Sequence, residues 1–194
     1  DEYRVIAIDH LGHGNSDKPE SESYDLTELA DFVEQTLTKI IGDEKIILHG
    51  HSMGGMIALI YATTPKYAKR LDGLVLMATA PKLQNPGLIK YIEEIRAGKL
   101  KIIVRESVEN ILVNLCFNRQ FRKKDPNLVE EFVNKTLENE EFVGVRTMES
   151  IVEQYNVEDK LHQVNVPTLI LTGDKDIFIL PEESKKMHEI IPNS

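Results

Sequence analysis

The sequence has few of the features that indicate a secreted, membrane or nucleic-acid-binding protein. One cysteine, Cys116, in 194 residues excludes an internal disulfide and favours a reducing compartment, so we predict a cytoplasmic protein. Its neighbours are mostly apolar, and we expect its side chain to be buried. No apolar run approaches the length of a membrane span, so no membrane partner is expected. Acidic residues outnumber basic ones by 32 to 23, and the net charge of −9 argues against a nucleic-acid partner.

Short apolar runs alternate with helical patterns along much of the chain. Four β-branched or leucine-rich runs predict buried strands, at residues 5–9, 45–49, 74–78 and 166–173. Between the first two runs, apolar residues recur at helical spacing over residues 26–41, with Asp25 or Thr27 as the N-cap and Gly42 at the end. Strands that alternate with helices predict an α/β fold, in which a mostly parallel sheet has helices on both faces.

The segment 81–164 interrupts this alternation. Its apolar spacing predicts several helices in succession, at residues 87–97, 105–117, 127–137 and 141–155. A helical insertion between two strands, at the end of the sheet where loops gather, is typical of a lid over a site. We therefore divide the chain into a core segment 1–80, a helical cap 81–164 and a second core segment 165–194.

The segment Gly50-His51-Ser52-Met53-Gly54 matches the pattern G-x-S-x-G, and it lies between a predicted strand and an apolar helix. Such a turn holds the serine in a strained conformation at the carboxyl end of the sheet. We predict that Ser52 is a nucleophile and that the N–H of Met53 stabilises an oxyanion at the helix start. Side chains at positions 50 and 54 are expected to collide, which explains glycine at both.

Three motifs together resemble the α/β-hydrolase family, specifically its capped serine hydrolases. They are the loop 9–19, the elbow 50–55 and the strand and loop 167–176, in family order over nearly the whole chain. The resemblance implies an α/β-hydrolase fold with a cap inserted before the strand that bears the catalytic acid. It favours Asp176 over Asp174 as that acid, because the acid usually closes a G-x-x-D turn.

No histidine stands where the family order requires the catalytic base. The resemblance implies a base after one further strand, and a second oxyanion donor on a strand before residue 1. We therefore expect these residues to be an internal segment of a longer hydrolase. We also expect a gap in the sheet between the strands at 5–9 and 45–49, since the family has a strand there.

The resulting hypothesis is a serine hydrolase that cleaves carboxylic esters, or related lactones and thioesters, through an acyl-enzyme. Ser52, Asp176 and a histidine outside this segment would form the triad. The apolar cap predicts a small-molecule ester with an apolar portion, and a homodimer is left open. Alternatives are a cofactor-free perhydrolase of haloperoxidase type, a carbon–carbon bond hydrolase of the same fold, and a non-catalytic binding module. No cofactor or metal is expected, because His10 and His13 have no accompanying ligand cluster.

Overall fold

A computed structural model of the chain describes residues 3–83, 86–101 and 103–194. The described residues contain a parallel sheet in the order β1-β2-β3, formed by β1 (Ile46–His51), β2 (Leu71–Met77) and β3 (Thr168–Leu171). The strands predicted at 45–49, 74–78 and 166–173 are confirmed, but the burial expected of them is wrong for β1 and β3, where Ile47 and Leu169 are more than half exposed. Five residues of the predicted segments 1–80 and 81–164 lie outside the described residues: Asp1, Glu2, Gln84, Asn85 and Ile102.

Helices flank the sheet and fill the chain between β2 and β3. In chain order they are α1 (Leu26–Ile41), α2 (Met53–Thr63), α3 (Pro65–Ala68), α4 (Pro86–Arg96), α5 (Arg105–Ser107), α6 (Val113–Cys116), α7 (Arg119–Lys124), α8 (Pro126–Leu137), α9 (Glu141–Glu153) and α10 (Pro181–Ile190). A π-helical turn (Val108–Leu112) joins α5 to α6 and divides the helix predicted at 105–117, and a 3₁₀ helix (Glu158–Gln163) precedes β3. Among the described residues, no helix combines the length and apolar character needed to cross a bilayer.

The first helix, α1, begins and ends where its sequence predicts. Asp25 Oδ1 accepts hydrogen bonds from the N–H groups of Thr27 and Glu28, which satisfies two donors that a helix start leaves without partners. At the other end Gly42 has φ of 60°, a value that glycine adopts at little cost, and its N–H donates to the Thr38 carbonyl. Local signals therefore fix both ends of this helix.

The second helix, α2, is buried along most of its length. All residues from 55 to 63 are buried, and those from 56 to 62 belong to the main core, which also includes side chains of α1 and β2. Burial of so much apolar surface contributes on the order of 25 cal/mol for each Å² removed from water. It therefore fixes the direction of the helix that begins immediately after Ser52.

The prediction of a strand at residues 5–9 is wrong, because these residues form no regular secondary structure. Val5 is 88% exposed, although Ile8 packs against the main core. A strand needs a neighbour to take up its backbone hydrogen bonds, and among the described residues β1 pairs only with β2. A cavity of about 280 Å³ lies beside β1, lined by His10, by Val33 of α1, by residues 48–51 and by part of α2. The gap in the sheet expected between the segments 5–9 and 45–49 stays a prediction.

The helices between β2 and β3 pack into two separate hydrophobic clusters. Ile92 of α4 and Val143 and Ile151 of α9 belong to the main core. The second cluster, here named the outer cluster, is centred on three buried valines and is formed by Val108, Leu112, Val113, Phe117, Val129, Phe132, Val133 and Leu137. The segment from α5 to α8 therefore packs mainly on itself, whereas α4 and α9 pack against the core.

Helix α9 is also held by polar contacts to the loop before α1. The Arg146 guanidinium donates to the carbonyls of Glu20 at 2.6 Å and Glu22 at 2.8 Å. The Ser150 hydroxyl accepts from the N–H of Leu26 at 3.1 Å, at a buried position. These bonds fasten α9 to residues that lie more than 120 positions earlier in the chain.

The two ends of the inserted helical segment are joined beside β2. The Val157 N–H donates to the Pro81 carbonyl at 2.9 Å, and the Tyr155 hydroxyl donates to the Ala80 carbonyl at 2.8 Å. Burial raises the pKa of Tyr155 well above its usual value, so the phenol remains a neutral donor. The chain leaves and rejoins the core through this one narrow connection, which we name the neck: residues 80–83 and 155–157.

Candidate active site

Ser52 makes the tight turn between β1 and α2. Because β1 ends at His51 and α2 begins at Met53, a single residue carries the reversal. Ser52 has φ of 51° and ψ of −120°, a conformation that costs an L-residue about 1–3 kcal/mol. Its N–H donates to the Met77 carbonyl at 2.9 Å, so strand pairing continues through the strained residue. The strained turn predicted from the sequence is present, with the serine half-buried.

Glycine is required at two positions around this turn, and one of them was not expected. A Cβ on Gly50 would stand 2.6 Å from the carbonyl carbon of Gly54. A Cβ on Gly55 would stand 2.5 Å from the Cβ of Thr79. The collision predicted at Gly54 is wrong, because nothing lies within 4 Å of a Cβ there. Gly54 borders the cavity beside β1, which leaves its surroundings open.

Met53 supplies the first N–H group of α2. A helix leaves its first four N–H groups without intrahelical acceptors, and its N-terminus carries a partial positive charge. No acidic residue occupies the first turn of α2, all of which is described. The Met53 side chain packs against the main core, which fixes the residue's position. A negative charge that develops beside Ser52 would therefore meet an unopposed helix N-terminus.

Asp176 lies in the turn that follows β3, and its carboxylate shapes that turn. Oδ1 accepts hydrogen bonds from the N–H groups of Phe178 at 2.8 Å and Ile179 at 3.0 Å. The Asp176 N–H donates to the Gly173 carbonyl at 3.2 Å, which closes the G-x-x-D turn. Asp176 is half-buried, whereas Asp174 is exposed. Of the two acids considered from the sequence, Asp176 is the one held in a fixed orientation.

The elbow and the Asp176 turn lie at the same edge of the sheet. His51 is aligned with Met77, and Met77 is aligned with Leu171, so the three strands end level with one another. The carboxyl ends of parallel strands are the usual place for ligand sites in open α/β sheets. The structure therefore brings Ser52 and the turn that carries Asp176 to one edge, with the end of β2 between them.

All six histidines lie in the described residues, and the hydrogen bonds they make there do not reach Ser52 or Asp176. His13 Nδ1 lies 3.1 Å from the Leu11 carbonyl oxygen. His188 Nδ1 lies 3.0 Å from the Ser194 hydroxyl, on the exposed side of α10. The described residues also contain no group of three or more His, Cys, Asp or Glu that could hold a metal ion.

His10 is the histidine that lines the cavity beside β1. Burial lowers the pKa of its imidazole, and the charge of His13 lowers it further, while Asp9 opposes both effects. His10 therefore has a smaller tendency to become charged near neutral pH than a free histidine. His10 directly follows the irregular segment 5–9, and its imidazole adds a polar group to the lining of the cavity.

Cys116 ends α6 and is exposed, so the prediction of a buried side chain is wrong. Val113 and Phe117 occupy the outer cluster instead, and Cys116 faces away from it. Partial burial of the sulfur and, second, the negative charge of Asp176 raise the pKa of the thiol.

The sequence motifs also left out Thr79, which the structure places directly against the elbow. Its hydroxyl donates to the Ser52 carbonyl at 2.9 Å, and the residue is almost completely buried. The available signal was positional: Thr79 follows the third predicted strand at the edge of the sheet where functional residues gather.

The chain matches one family along its whole length. The sequence profile of the family described as serine aminopeptidase, S33, matches residues 1–194. Proline iminopeptidase PfmaB from Pestalotiopsis fici is 29% identical over 199 residues, which cover 95% of this chain and 69% of that protein. Lipase 3 from Moraxella sp. is 30% identical over 200 residues, which cover 99% of this chain and 60% of that protein. The chain thus spans between 60% and 69% of the length of these two relatives.

Solved structures share the fold. The thermophilic esterase from Thermogutta terrifontis has a TM-score of 0.78 against this chain at 27% sequence identity. The match covers 96% of this chain and 67% of that one. The fold described above therefore recurs in a protein of greater length.

Proposed function

Because the chain belongs to the serine aminopeptidase S33 family of α/β-hydrolases, we propose that its protein is a serine hydrolase that cleaves carboxylic esters. The observation that carries the proposal is the elbow. Ser52 occupies a strained one-residue turn at the N-terminus of a buried helix, at the edge of the sheet that also carries Asp176. Strain held by surrounding structure is common where a nucleophile must be presented.

In the proposed reaction, Ser52 Oγ adds to the ester carbonyl carbon while its proton passes to a general base. The N–H of Met53, at the positive end of α2, stabilises the resulting oxyanion. Collapse of this tetrahedral intermediate breaks the carbon–oxygen bond, and the alcohol leaves with the proton. Water then attacks the acyl-serine by the same route in reverse and releases the carboxylic acid.

Asp176 is proposed as the acid that orients the base. The N–H groups of Phe178 and Ile179 hold Oδ1, which leaves Oδ2 to accept a hydrogen bond from an imidazole. A carboxylate fixed in this way keeps the imidazole in one tautomer and one orientation. Exposed Asp174 offers no comparable support.

The base and the second oxyanion donor are proposed to lie outside these 194 residues. The hydrogen bonds of the histidines in the described residues reach neither Ser52 nor Asp176. The relatives are longer than this chain, which spans 60% of Lipase 3. Both facts support a triad in which Ser52 and Asp176 receive their histidine from another part of the protein.

We propose that residues 81–164 form a cap over this site and that the substrate is a small ester with an apolar portion. Support comes from the neck, which bonds both ends of this segment just beyond the end of β2, the strand that lies between Ser52 and the Asp176 turn. The apolar character of the inserted helices favours an acyl group over a charged substrate. Ester-directed chemistry is further supported by the similarity to Lipase 3 and to the Thermogutta esterase.

A second candidate is amide cleavage next to an N-terminal proline. It is supported by the similarity to proline iminopeptidase PfmaB, at 29% identity. The same nucleophile, acid and oxyanion donor serve both reactions, so the elbow does not separate them. The two candidates differ in the leaving group and are separated by the choice of substrate.

Labelling with a fluorophosphonate tests the proposed nucleophile in the full-length protein. We expect a covalent adduct on Ser52, located by peptide mass spectrometry, and its loss in Ser52→Ala. Ser21→Ala, which removes an exposed serine, is the matched control and should label like the wild type.

Hydrolysis of p-nitrophenyl butyrate but not of proline p-nitroanilide would support the ester proposal, and the opposite preference would support the second candidate. A folded wild-type protein without an adduct would contradict both and indicate a non-catalytic binding module.

A further inference from the structure

The end of β2 wraps around the backbone of Ser52. The Ser52 N–H donates to the Met77 carbonyl at 2.9 Å. Two residues later the Thr79 hydroxyl donates to the Ser52 carbonyl, also at 2.9 Å. Both polar groups of the serine backbone are therefore bound by one short segment, residues 77–79, which begins at the last residue of β2. This arrangement holds the residue from two sides.

Two strained residues stand next to each other in this arrangement. Ser52 has φ of 51° and Ala78 has φ of 45°, and neither is glycine. Each such residue costs about 1–3 kcal/mol, so both persist only because surrounding contacts fix them. The Ala78 N–H donates to the Leu171 carbonyl at 2.8 Å, which ties this turn to the end of β3.

Thr79 makes its contact from a closely packed position. The residue is 1% exposed, so its hydroxyl has no bulk water as an alternative partner. Its side chain fills the space that Gly55 leaves empty, since a Cβ on Gly55 would stand 2.5 Å from the Thr79 Cβ. Packing thus fixes the rotamer, and the rotamer aims the hydroxyl at the Ser52 carbonyl.

The Ser52 carbonyl is an unusual acceptor, because it receives three donors. The N–H groups of Gly55 and Met56 reach it at 2.9 and 3.1 Å as part of the first turn of α2. The Met56 bond is the regular α-helical bond and the Gly55 bond is of the kind common in a first turn, so both are local to the helix and do not specify where its start lies relative to the sheet. The Thr79 hydroxyl is the donor that comes from the sheet, and it therefore sets that relative position.

We infer that Thr79 is a positioning residue for the nucleophile: its hydroxyl bonds the Ser52 carbonyl and holds the strained elbow in the orientation that presents Oγ. The inference rests on the proposed role of Ser52. The N–H groups of Gly55 and Met56 still bind the Ser52 carbonyl when the Thr79 hydroxyl is removed. We therefore expect α2 to remain formed and only the elbow to become less rigid. A displacement of the nucleophile of about 1 Å is enough to cost on the order of 10²-fold in rate.

Thr79→Val tests the inference, because it keeps the branched shape that packs against Gly55 and removes only the hydroxyl. In the full-length protein we expect fluorophosphonate labelling of Ser52 and kcat for an ester to fall about tenfold, with KM within about twofold of the wild type. Thr79→Ser restores a hydroxyl and should recover most of the rate. Thr63→Val is the matched control, since the Thr63 hydroxyl donates to the Leu59 carbonyl at the far end of α2, and it should leave labelling unchanged.

Each possible result of this comparison either supports or overturns the positioning role of Thr79. Labelling of Thr79→Val at the wild-type rate, a loss matched by Thr63→Val, or no recovery in Thr79→Ser would overturn the inference while the proposed function stands. Failure of the wild type to label on Ser52 would overturn both. If Thr79→Val does not fold, the pair Thr79→Ala and Thr79→Ser makes the same comparison, and equal labelling rates in the two would overturn the inference.

Discussion

The carbonyl carbon of Gly54 lies 2.6 Å from the point at which a Cβ on Gly50 would stand. That carbon belongs to the backbone of the first turn of α2, so it cannot rotate aside as a flexible side chain would. The crowding is one-sided, because a Cβ on Gly54 would meet nothing within 4 Å. Steric crowding therefore requires glycine at position 50 but not at position 54.

Gly50→Ala and Gly54→Ala should therefore behave differently. In Gly50→Ala the first turn of α2 must move, and we expect a lower Tm and labelling of Ser52 reduced at least about tenfold. In Gly54→Ala we expect near wild-type labelling and an unchanged or higher Tm, since alanine favours a helix by about 1 kcal/mol over glycine. Thermal melts and labelling rates check both, and equal effects at the two positions would contradict the geometry.

Asp176→Asn should remove catalysis while preserving the turn. The asparagine side chain keeps an oxygen that can accept from the N–H groups of Phe178 and Ile179, so the fold should persist. Loss of the charge that orients the base should lower kcat by about 10⁴-fold. Asp174→Asn, at an exposed position in the same turn, is the control and should retain activity within about threefold. A larger loss in Asp174→Asn would exchange the two roles.

His10 should make the protein less stable at low pH. Its folded-state pKa lies below the unfolded value of 6.5, so the unfolded protein binds more protons in this range. The contribution to stability is complete above pH 6.5 and is lost as the pH falls through and below that value. We expect His10→Gln to show a smaller decline in the free energy of unfolding between pH 7 and 5 than the wild type. Denaturant titrations at each pH test this, with His162→Gln as an exposed control, and parallel curves for wild type and His10→Gln would refute it.

The inserted helices should open in two stages. Helix α8 packs in the outer cluster around three buried valines, whereas α9 packs in the main core and is bonded to the loop before α1. Fewer buried contacts lower the free energy of local opening. Hydrogen exchange followed by mass spectrometry should therefore show faster exchange in α8 (Pro126–Leu137) than in α9 (Glu141–Glu153), with α1 as the slow reference. Equal protection of α8 and α9 would show that the insertion opens as one unit.

Local signals in the sequence predict those parts of the structure that local chemistry determines. Helix α1 has an aspartate at its start and a glycine at its end, and both cap it as expected. The elbow was also predicted from local signals, because its glycines, the strand before it and the apolar helix after it lie within a few residues of one another. At the turn after β3 the sequence indicated which aspartate closes the G-x-x-D pattern, but not that its side chain accepts from the N–H groups of Phe178 and Ile179.

Features that depend on distant residues were predicted less well. The apolar run at 5–9 has the composition of a strand, yet strand formation depends on a neighbour that composition does not reveal. Cys116 has apolar neighbours along the chain, but its helix turns it away from the cluster they fill. The Thr79–Ser52 bond joins residues 27 positions apart and appears only once the strands are aligned.

The neck has a consequence for how this fold can vary. Because residues 80–83 and 155–157 are already bonded, the chain between them is a closed loop whose ends stay in place whatever its length. Lengthening such a loop costs little, about 0.6 kcal/mol for each doubling. Helices α5 to α8, which pack mainly on one another, can therefore vary in number and length while α4, α9 and the strand ends that hold Ser52 and Asp176 stay in place. Variation in the inserted helices is thereby separated from preservation of the strand ends.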